Sequence, residues 1–421
     1  MAARSQDAVD AAELVDRVLS SGPPAVLYQP VVDLSYAGTP VVGYEALARW
    51  PSLSGVSTAA LFDAAERSGR VAELDWACRS AAVRGALNSG IDTETALFVN
   101  VEPAASLQRA PDTARQLWRS AAERLSMVLE ITERRMLDDA SALLAAIGEA
   151  REVGWWIAVD DVGVNPESLA MLEFIRPDMV KLDLGFVQRP IDADAARTLR
   201  GVAAYCERTG ATLIAEGIET EEQLERAVGV GAALGQGYLF GHPGVLQPAS
   251  AGFRAHRVSG LPSGETPYSI VSKRRGYRIA RKTVLKRLSD EIEQQIDEMT
   301  DPPVVLTAMQ TAAHVTPGIV QLYSRFAARS PLVVMLAADM PREPVPGAHG
   351  SDLPPGDALR DEWALVVLGT YTSIALAAQD LGDTGPDGDR RFRYTMTQDR
   401  DLVVAAGVSL LNRLVQAQTP D

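Results

Sequence analysis

The stretch WWIAVDDVG, Trp155 to Gly163, decides how the first half of the chain folds. Five of its first six residues are Trp, Ile, Ala or Val, so it reads as a strand buried on both faces. The run stops abruptly at Asp160 and Asp161. Neighbouring residues of a strand project in opposite directions, so this pair can offer one ligand to each of two sites. A single Asp-Asp pair at a strand end is ordinarily a solvated strand-to-helix turn. Repetition argues for more, because at least six other apolar runs before residue 245 also end in Glu, Asp, Asn, Lys or Gln.

Outward from that stretch, strand-like runs are expected at Ala25–Val32, Val41–Ala48, Ala96–Val101, Met127–Ile131, Trp156–Val159, Met179–Leu182, Thr212–Ala215 and Gly237–Phe240. Helical patterns separate most of them, at Ser57–Ser68, Val71–Leu87, Pro111–Arg124, Asp138–Val153, Ser168–Phe174, Ala193–Arg208 and Glu221–Val230. Eight strands with mostly helical connections over about 220 residues match a (β/α)8 barrel. The turn Ser35–Pro40 is too short for a crossover helix, so the first two strands should be antiparallel. In such a barrel the C-terminal strand ends converge on one mouth. Glu45, Asn100, Glu130, Asp160, Asp161, Lys181, Glu216 and Gln236 lie at or near those ends or, for Glu45, within the second strand.

Five carboxylates against one lysine leave about four negative charges, which would repel strongly if unpaired. Two divalent cations would cancel them. Oxygen ligands without histidine or thiolate suit Mg2+ or Mn2+ better than Zn2+. Two such ions sharing Asp160 could bind a phosphodiester, activate water and stabilise the leaving oxygen.

Composition bounds the alternatives. A chain of 421 residues exceeds one ordinary domain and points to two. Its 47% apolar and 23% charged content is that of a globular protein with ample core. It contains no apolar run of about 18 residues, so no membrane span is expected. The N-terminus has acids where a secretory signal needs an apolar core. Cys78 and Cys206 are the only cysteines, which fits a reducing cytoplasm and argues against a disulfide framework. The four histidines form no ligand spacing, and the net charge of −15 counts against a nucleic-acid polymer as partner.

At these residues the chain resembles the EAL-domain cyclic di-GMP phosphodiesterases. The resemblance runs in order through YQPVVDL (28–34), GYEALARW (43–50), FVNVEP (98–103), LEITER (129–134), AVDDVG (158–163), VKLD (180–183), AEGIET (215–220) and GQGYLFG (235–241), and includes Glu45-Ala46-Leu47 itself. It implies an α/β fold: an EAL-type (β/α)8 TIM-like barrel with one antiparallel strand, followed by a smaller α/β sensory domain. It implies two Mg2+ or Mn2+ ions, the first held by Glu45, Asn100, Glu130 and Asp160 and the second by Asp160 and Asp161 with Glu216 nearby. Lys181 and Gln236 would position and help activate the attacking water, with Lys181 the candidate general base. Lys181 reads equally as a counter-ion of Asp160 or Asp183. Gln29, Leu47 and Arg49 would line the ligand, Arg49 touching a phosphate. Glu133 would tie down the loop after Asp161, and Asp183 and Glu219 would support the site from behind. An ordinary helix-start role reads as well for Glu133 and Glu219. The family also implies a cytoplasmic homodimer.

The chain departs from the family in that loop, which usually reads DDFGTG. Here Val162, Val164 and Asn165 replace its Phe, Thr and second Gly, and Pro166 follows. The histidine that usually follows the Arg-Trp pair is also missing. The alternative reading is therefore a catalytically weak receptor that binds cyclic di-GMP.

The domains expected are an N-terminal helix over 1–24, the barrel over 25–248, a Pro- and Gly-rich linker over 249–266 and a second domain over 267–421. The second domain opens with a basic segment, Lys273 to Arg287, that reads as either an anion site or a solvated helix face with i,i+4 pairs. Strand-like runs follow at Pro303–Met309, Leu332–Ala338, Trp363–Leu368 and Ile374–Ala378, with helices at Thr316–Arg329 and Asp399–Ala417 and a loop at Pro341–Gly356. LVVML (332–336) and DEWALVVLG (361–369) resemble the DICT sensory domain, which implies an unknown sensory ligand or protein partner. Tyr323, Phe326, Trp363 and Tyr371 are candidates to line its pocket, with core packing as their ordinary role.

Overall fold

Seven of the eight expected strands, with an eighth at Leu234–Gln236, close on one another. The computed structural model describes every residue except 1, 37, 52–54, 104, 106–109, 134–139, 165–168, 259–263, 300 and 417–421. Strands β1 (Ala25–Asp33), β2 (Val41–Arg49), β3 (Ala96–Asn100), β4 (Ser126–Thr132), β5 (Trp156–Val162), β6 (Met179–Leu182), β7 (Thr212–Ala215) and β8 (Leu234–Gln236) form a closed barrel in sequence order. The short turn after β1 has the expected consequence: β1 is antiparallel to both β2 and β8, and the other pairs are parallel. Helices α1 (Ala2–Ser20), α2 (Thr58–Arg67), α3 (Val71–Ser89), α4 (Asp112–Arg124), α5 (Ala140–Glu152), α7 (Gly185–Gln188), α8 (Ala193–Thr209) and α9 (Glu221–Gly229) accompany them, whereas α6 (Leu169–Ile175) belongs to the second compact unit. The lower barrel is filled by Val31, Val42, Ala96, Phe98, Val128, Ala158, Met179, Ile214 and Leu234.

Two boundaries differ from the sequence reading. The eighth strand is Leu234–Gln236, not Gly237–Phe240. Gly237 ends it because its φ is 159° and a Cβ there would lie 2.0 Å from the carbonyl oxygen of Ile218. That close approach lets Ile218 accept from Leu239 N–H while its own N–H donates to Gln236. Residues 250–258, read as linker from composition, instead pack along the barrel. Phe253 stands edge-on to Phe98 and Trp156, Arg257 lies over the Trp156 ring, and Asp178 accepts from both Val258 N–H and Ile157 N–H. Pro and Gly content marked the absence of regular structure there, not the absence of packing.

The chain divides into two compact units, Met1–Val164 with Pro177–Val258, and Ser259–Asp421 with Asn165–Arg176. The second unit holds α10 (Pro267–Arg275), α11 (Lys282–Glu298), α12 (Pro317–Ala327) and α13 (Arg400–Gln416). Its sheet runs β12 (His349–Asp352), β11 (Val333–Ala338), β10 (Val304–Thr311), β13 (Glu362–Leu368), β14 (Ser373–Asp380), β15 (Arg391–Thr397) and β9 (Arg278–Arg281). Ile292 and Ile296 of α11 and Tyr323 and Phe326 of α12 pack against Val305, Met335, Leu365 and Leu376. Within this unit α6 packs on α13: Glu173 is buried and receives Arg400 at 2.8 Å, and Gly407 leaves room for Phe174, whose ring would lie 2.5 Å from a Cβ there.

Strands β9, β12 and β15 and helix α10 were not foreseen. Three of those elements carry many charged or polar residues, so apolar periodicity is a weak signal in them. Five of the eight cations of the basic segment are paired: Lys273 with Glu265, Arg275 with Asp399, Arg281 with Asp389, Lys282 with Asp387 and Lys286 with Asp290. These five pairs fit the reading of a solvated helix face.

Candidate active site

The parallel register carries the strand-end residues to one mouth. Asn100 is level with Glu130, Thr132 with Asp160, and Gln29 of β1 faces Glu45 of β2. At the end of β5 the register slips between Val159 and Val162, and Asp161 adopts a left-handed φ of 57°. The two aspartates are therefore presented by a bulge, not by simple strand alternation. A bulge re-aims a side chain, and Asp tolerates this conformation better than most residues.

Lys181 stands at the centre and is fully buried. Its ammonium lies 2.5 Å from Glu216 Oε1, 2.7 Å from Glu130 Oε1, 3.1 Å from Asp160 Oδ1 and 3.6 Å from Glu45 Oε2. Burial opposes its charge, but Asp160, Glu130, Glu216 and Glu45 outweigh burial and hold its pKa well above the ordinary lysine value. Burial, then the neighbouring Glu45, pushes Glu130 well above the usual carboxylate range against the pull of Lys181. Burial also raises Glu216 to about 8 and, with Asp160 beside it, Asp161 to about 6. The cluster holds more negative groups than one ammonium can balance.

Amide groups complete the mouth. Gln236 Nε2 donates to Glu45 Oε2 at 2.7 Å and to Gln29 Oε1 at 3.3 Å, and Asn100 Nδ2 donates to Glu45 Oε1 at 3.0 Å. The buried amide oxygen of Gln236 accepts no hydrogen bond among the described residues. Two carboxylate triads result: Glu45, Glu130 and Asp160, and Asp160, Asp161 and Glu216, the oxygens of each within 4.8 Å of one another. Surplus charge, hard oxygen donors and an unpaired amide oxygen fit divalent cations, and Asp160 belongs to both triads.

Other expected residues sit around this cluster. Glu133 is buried, its Oε1 accepts from Gly163 N–H at 3.1 Å, and its own N–H donates to Asp160 O at 2.8 Å. Arg49 and Leu47 are half-buried near the end of β2, and Arg49 donates to the carbonyl of Ala48. Asp183 accepts from Gly185 N–H, while the ion-pair partners of Lys181 are the four carboxylates above. Glu219 is not brought to the cluster: it is exposed, and its backbone N–H donates to Gln223 as part of a helix cap. In the altered loop, Val162 is buried and Val164 exposed, while Asn165, Pro166 and Glu167 lie outside the described residues.

Sequence reasoning missed a supporting pair on α3. Asp75 and Arg79 are both buried and ion-paired, Arg79 donates to the carbonyls of Glu102 and Ala105, and Glu102 N–H donates to Asp75. This pair fixes the segment that follows Asn100. The available signal was an Asp and an Arg four residues apart beside Leu74, Trp76 and Val83 on a buried helix face.

A closed (β/α)8-type barrel whose mouth gathers five carboxylates around a buried lysine defines a class of acid-lined, metal-ready barrels. The chain belongs to the EAL domain family, whose model matches residues 13–243, and residues 271–381 match the "Sensory domain in DIguanylate Cyclases and Two-component system" (DICT). It is 30% identical over 255 residues to "Cyclic di-GMP phosphodiesterase RocR" of Pseudomonas aeruginosa, covering 57% of this chain and 64% of that protein. It is 31% identical over 225 residues to "Bifunctional diguanylate cyclase/cyclic di-GMP phosphodiesterase MucR" of the same organism, covering 51% of this chain and 32% of that protein. The solved structure "PaMucR Phosphodiesterase, c-di-GMP complex" is 26% identical, with a TM-score of 0.48, over 56% of this chain and 97% of that one. The chain spans between 27% and 64% of the length of the first curated relatives it matches. Among the described residues no helix is long and apolar enough to cross a membrane.

Proposed function

We propose that this chain is a phosphodiesterase that opens one phosphodiester bond of cyclic di-GMP and releases linear pGpG. The observation that carries the reading is the pair of carboxylate triads sharing Asp160 around Lys181. Glu45, Asn100, Glu130 and Asp160 would hold one Mg2+ or Mn2+, and Asp160, Asp161 and Glu216 the other. When bound, two such ions supply Lewis acidity toward the phosphoryl oxygens and acidify water.

The chain's own residues supply position and proton transfer. Gln29, Leu47 and Arg49 border the mouth where the nucleotide lies, and the Arg49 guanidinium suits a phosphate oxygen. Gln236 and Lys181 orient the attacking water. Four carboxylates hold the proton on Lys181, so it serves as base only when cations take over those carboxylates. The reaction forms a bond from water oxygen to phosphorus and breaks the bond to the ribose oxygen, which leaves as a hydroxyl. The Asp75–Arg79 pair and Glu133 keep the neighbouring backbone still. The DICT unit would regulate turnover, and the family resemblance adds a homodimer, for which sedimentation is the test.

The deciding experiment incubates purified protein with cyclic di-GMP and Mg2+, Mn2+ or chelator, then separates the nucleotides. Metal-dependent pGpG that disappears in Glu45→Ala is the expected result. Calorimetric binding of intact cyclic di-GMP without product would make the chain a receptor instead.

A further inference from the structure

The second unit contains a cavity of about 330 Å³ between α11, β10 and α12. Trp363, Phe392, Met309 and Ile319 supply apolar wall, and the buried Tyr323 and Thr307 lie among them. Size and lining are those of a small-molecule site, mostly apolar with few polar anchors. Of the four residues with pocket and core roles open, Tyr323 and Trp363 line this cavity, Phe326 packs in the core and Tyr371 is exposed.

The polar groups discriminate between ligand classes. Both lysines of the wall are already matched, Lys282 by Asp387 and Lys286 by Asp290. An anionic ligand would have to displace those carboxylates. Glu293 differs. Its Oε1 accepts from the Tyr323 hydroxyl at 3.0 Å, and among the described residues it forms no ion pair. The ionisable groups facing it are Tyr323, Asp290 and Lys286, with His314, Lys282 and Asp387 elsewhere on the wall. Burial raises the Glu293 carboxyl above its ordinary value, and the Tyr323 hydroxyl and the more distant Lys286 do not offset it.

We propose that this cavity is the ligand site of the sensory unit and takes a small aromatic amine, its ring between Trp363, Phe392 and Ile319 and its ammonium on Glu293. The inference rests on the sensory reading of residues 271–381 and not on hydrolysis in the barrel. Ring burial supplies the affinity, and the charge-assisted bond to Glu293 selects amines over acids.

The test is calorimetry on the full chain with three probes: tryptamine, indole and indole-3-acetate, with no cyclic di-GMP present. Tryptamine should bind at least about tenfold tighter than indole-3-acetate, the value of one charge-assisted hydrogen bond. Glu293→Gln should remove about that tenfold preference while keeping an acceptor for Tyr323. Ala313→Trp, at an exposed position on the cavity wall, should block every probe without disturbing the core. The proposal is overturned if tryptamine gives no heat at millimolar concentration, if indole-3-acetate binds as tightly, or if Ala313→Trp leaves binding intact. Because no barrel activity is read, absence of pGpG formation leaves this result standing, and absence of binding leaves the phosphodiesterase reading standing.

Discussion

Lys181 Nζ lies 2.7 Å from Glu130 Oε1, and both side chains are closed to solvent. Lys181→Met keeps the volume and removes the charge, so Glu130 is left beside Glu45 and Asp160 without an ammonium. Breaking a buried pair in this way costs about 3–5 kcal/mol. The expected result is a lower urea midpoint in chelator, partly restored by Mg2+, and turnover down at least ~10²-fold. Unchanged stability in chelator together with normal turnover would remove Lys181 from the site.

Asp160 belongs to both carboxylate triads and Glu216 to one. Titration with Mn2+ should therefore show two ions for the wild type, one for Glu216→Gln, and loss of both for Asp160→Asn. Ca2+ should compete for the ions' positions without supporting turnover, because its coordination shell is larger and looser. Equal stoichiometry in the two variants would show that Asp160 is not shared.

Glu133 reaches the metal loop through Gly163 N–H. Glu133→Ala should weaken Mn2+ binding and turnover by about 10–100-fold, the range for residues that orient ligands. Glu133→Gln keeps a carbonyl acceptor and should recover most of that loss. If both variants fall equally, the carboxylate charge matters and the hydrogen bond does not.

Glu362 is buried in the second unit, where it accepts from the Thr266 hydroxyl and Tyr268 N–H. Burial raises its carboxyl from 4.5 to about 7. The folded state thus binds a proton that the unfolded state releases between those values, so stability falls as pH rises through the window. The full effect is ~3 kcal/mol. Urea unfolding at about pH 5.5 and about pH 8 should show Glu362→Gln gaining on the wild type at the higher value. A pH-independent difference would contradict the shift.

Gly237 closes β8 against the Ile218 backbone. Gly237→Ala has no room for its Cβ, and the nearest atoms are backbone, so about 2–3 kcal/mol of destabilisation is expected. Gln236 moves with the strand end, so affinity for cyclic di-GMP should fall along with the unfolding midpoint. Wild-type behaviour in both measurements would show that the turn can shift at little cost.

The barrel and its acids were legible because their signal is local and repeated. Each parallel strand needs an unbroken apolar run, and a polar residue at its end is visible in the same few letters, as with Val159-Asp160 and Val180-Lys181. The second unit was less legible where elements are polar, as in RFRYTMT of β15, and where an edge strand such as β9 is largely exposed. Gly237 gave no sign that it would end β8, because the atoms it meets belong to Ile218.

The sequence by itself determined the strand order, the antiparallel first strand and the acid-rich mouth, since apolar periodicity and one short turn leave few other foldings. Tertiary structure alone decided that Asp160 and Asp161 sit on a bulge, that Lys181 serves four carboxylates, and that α6 packs with α13. It also decided that Glu293 faces a cavity whose lysines are paired with other carboxylates. Those outcomes depend on atoms brought together from distant parts of the chain, and no local pattern encodes which charges end up unpaired.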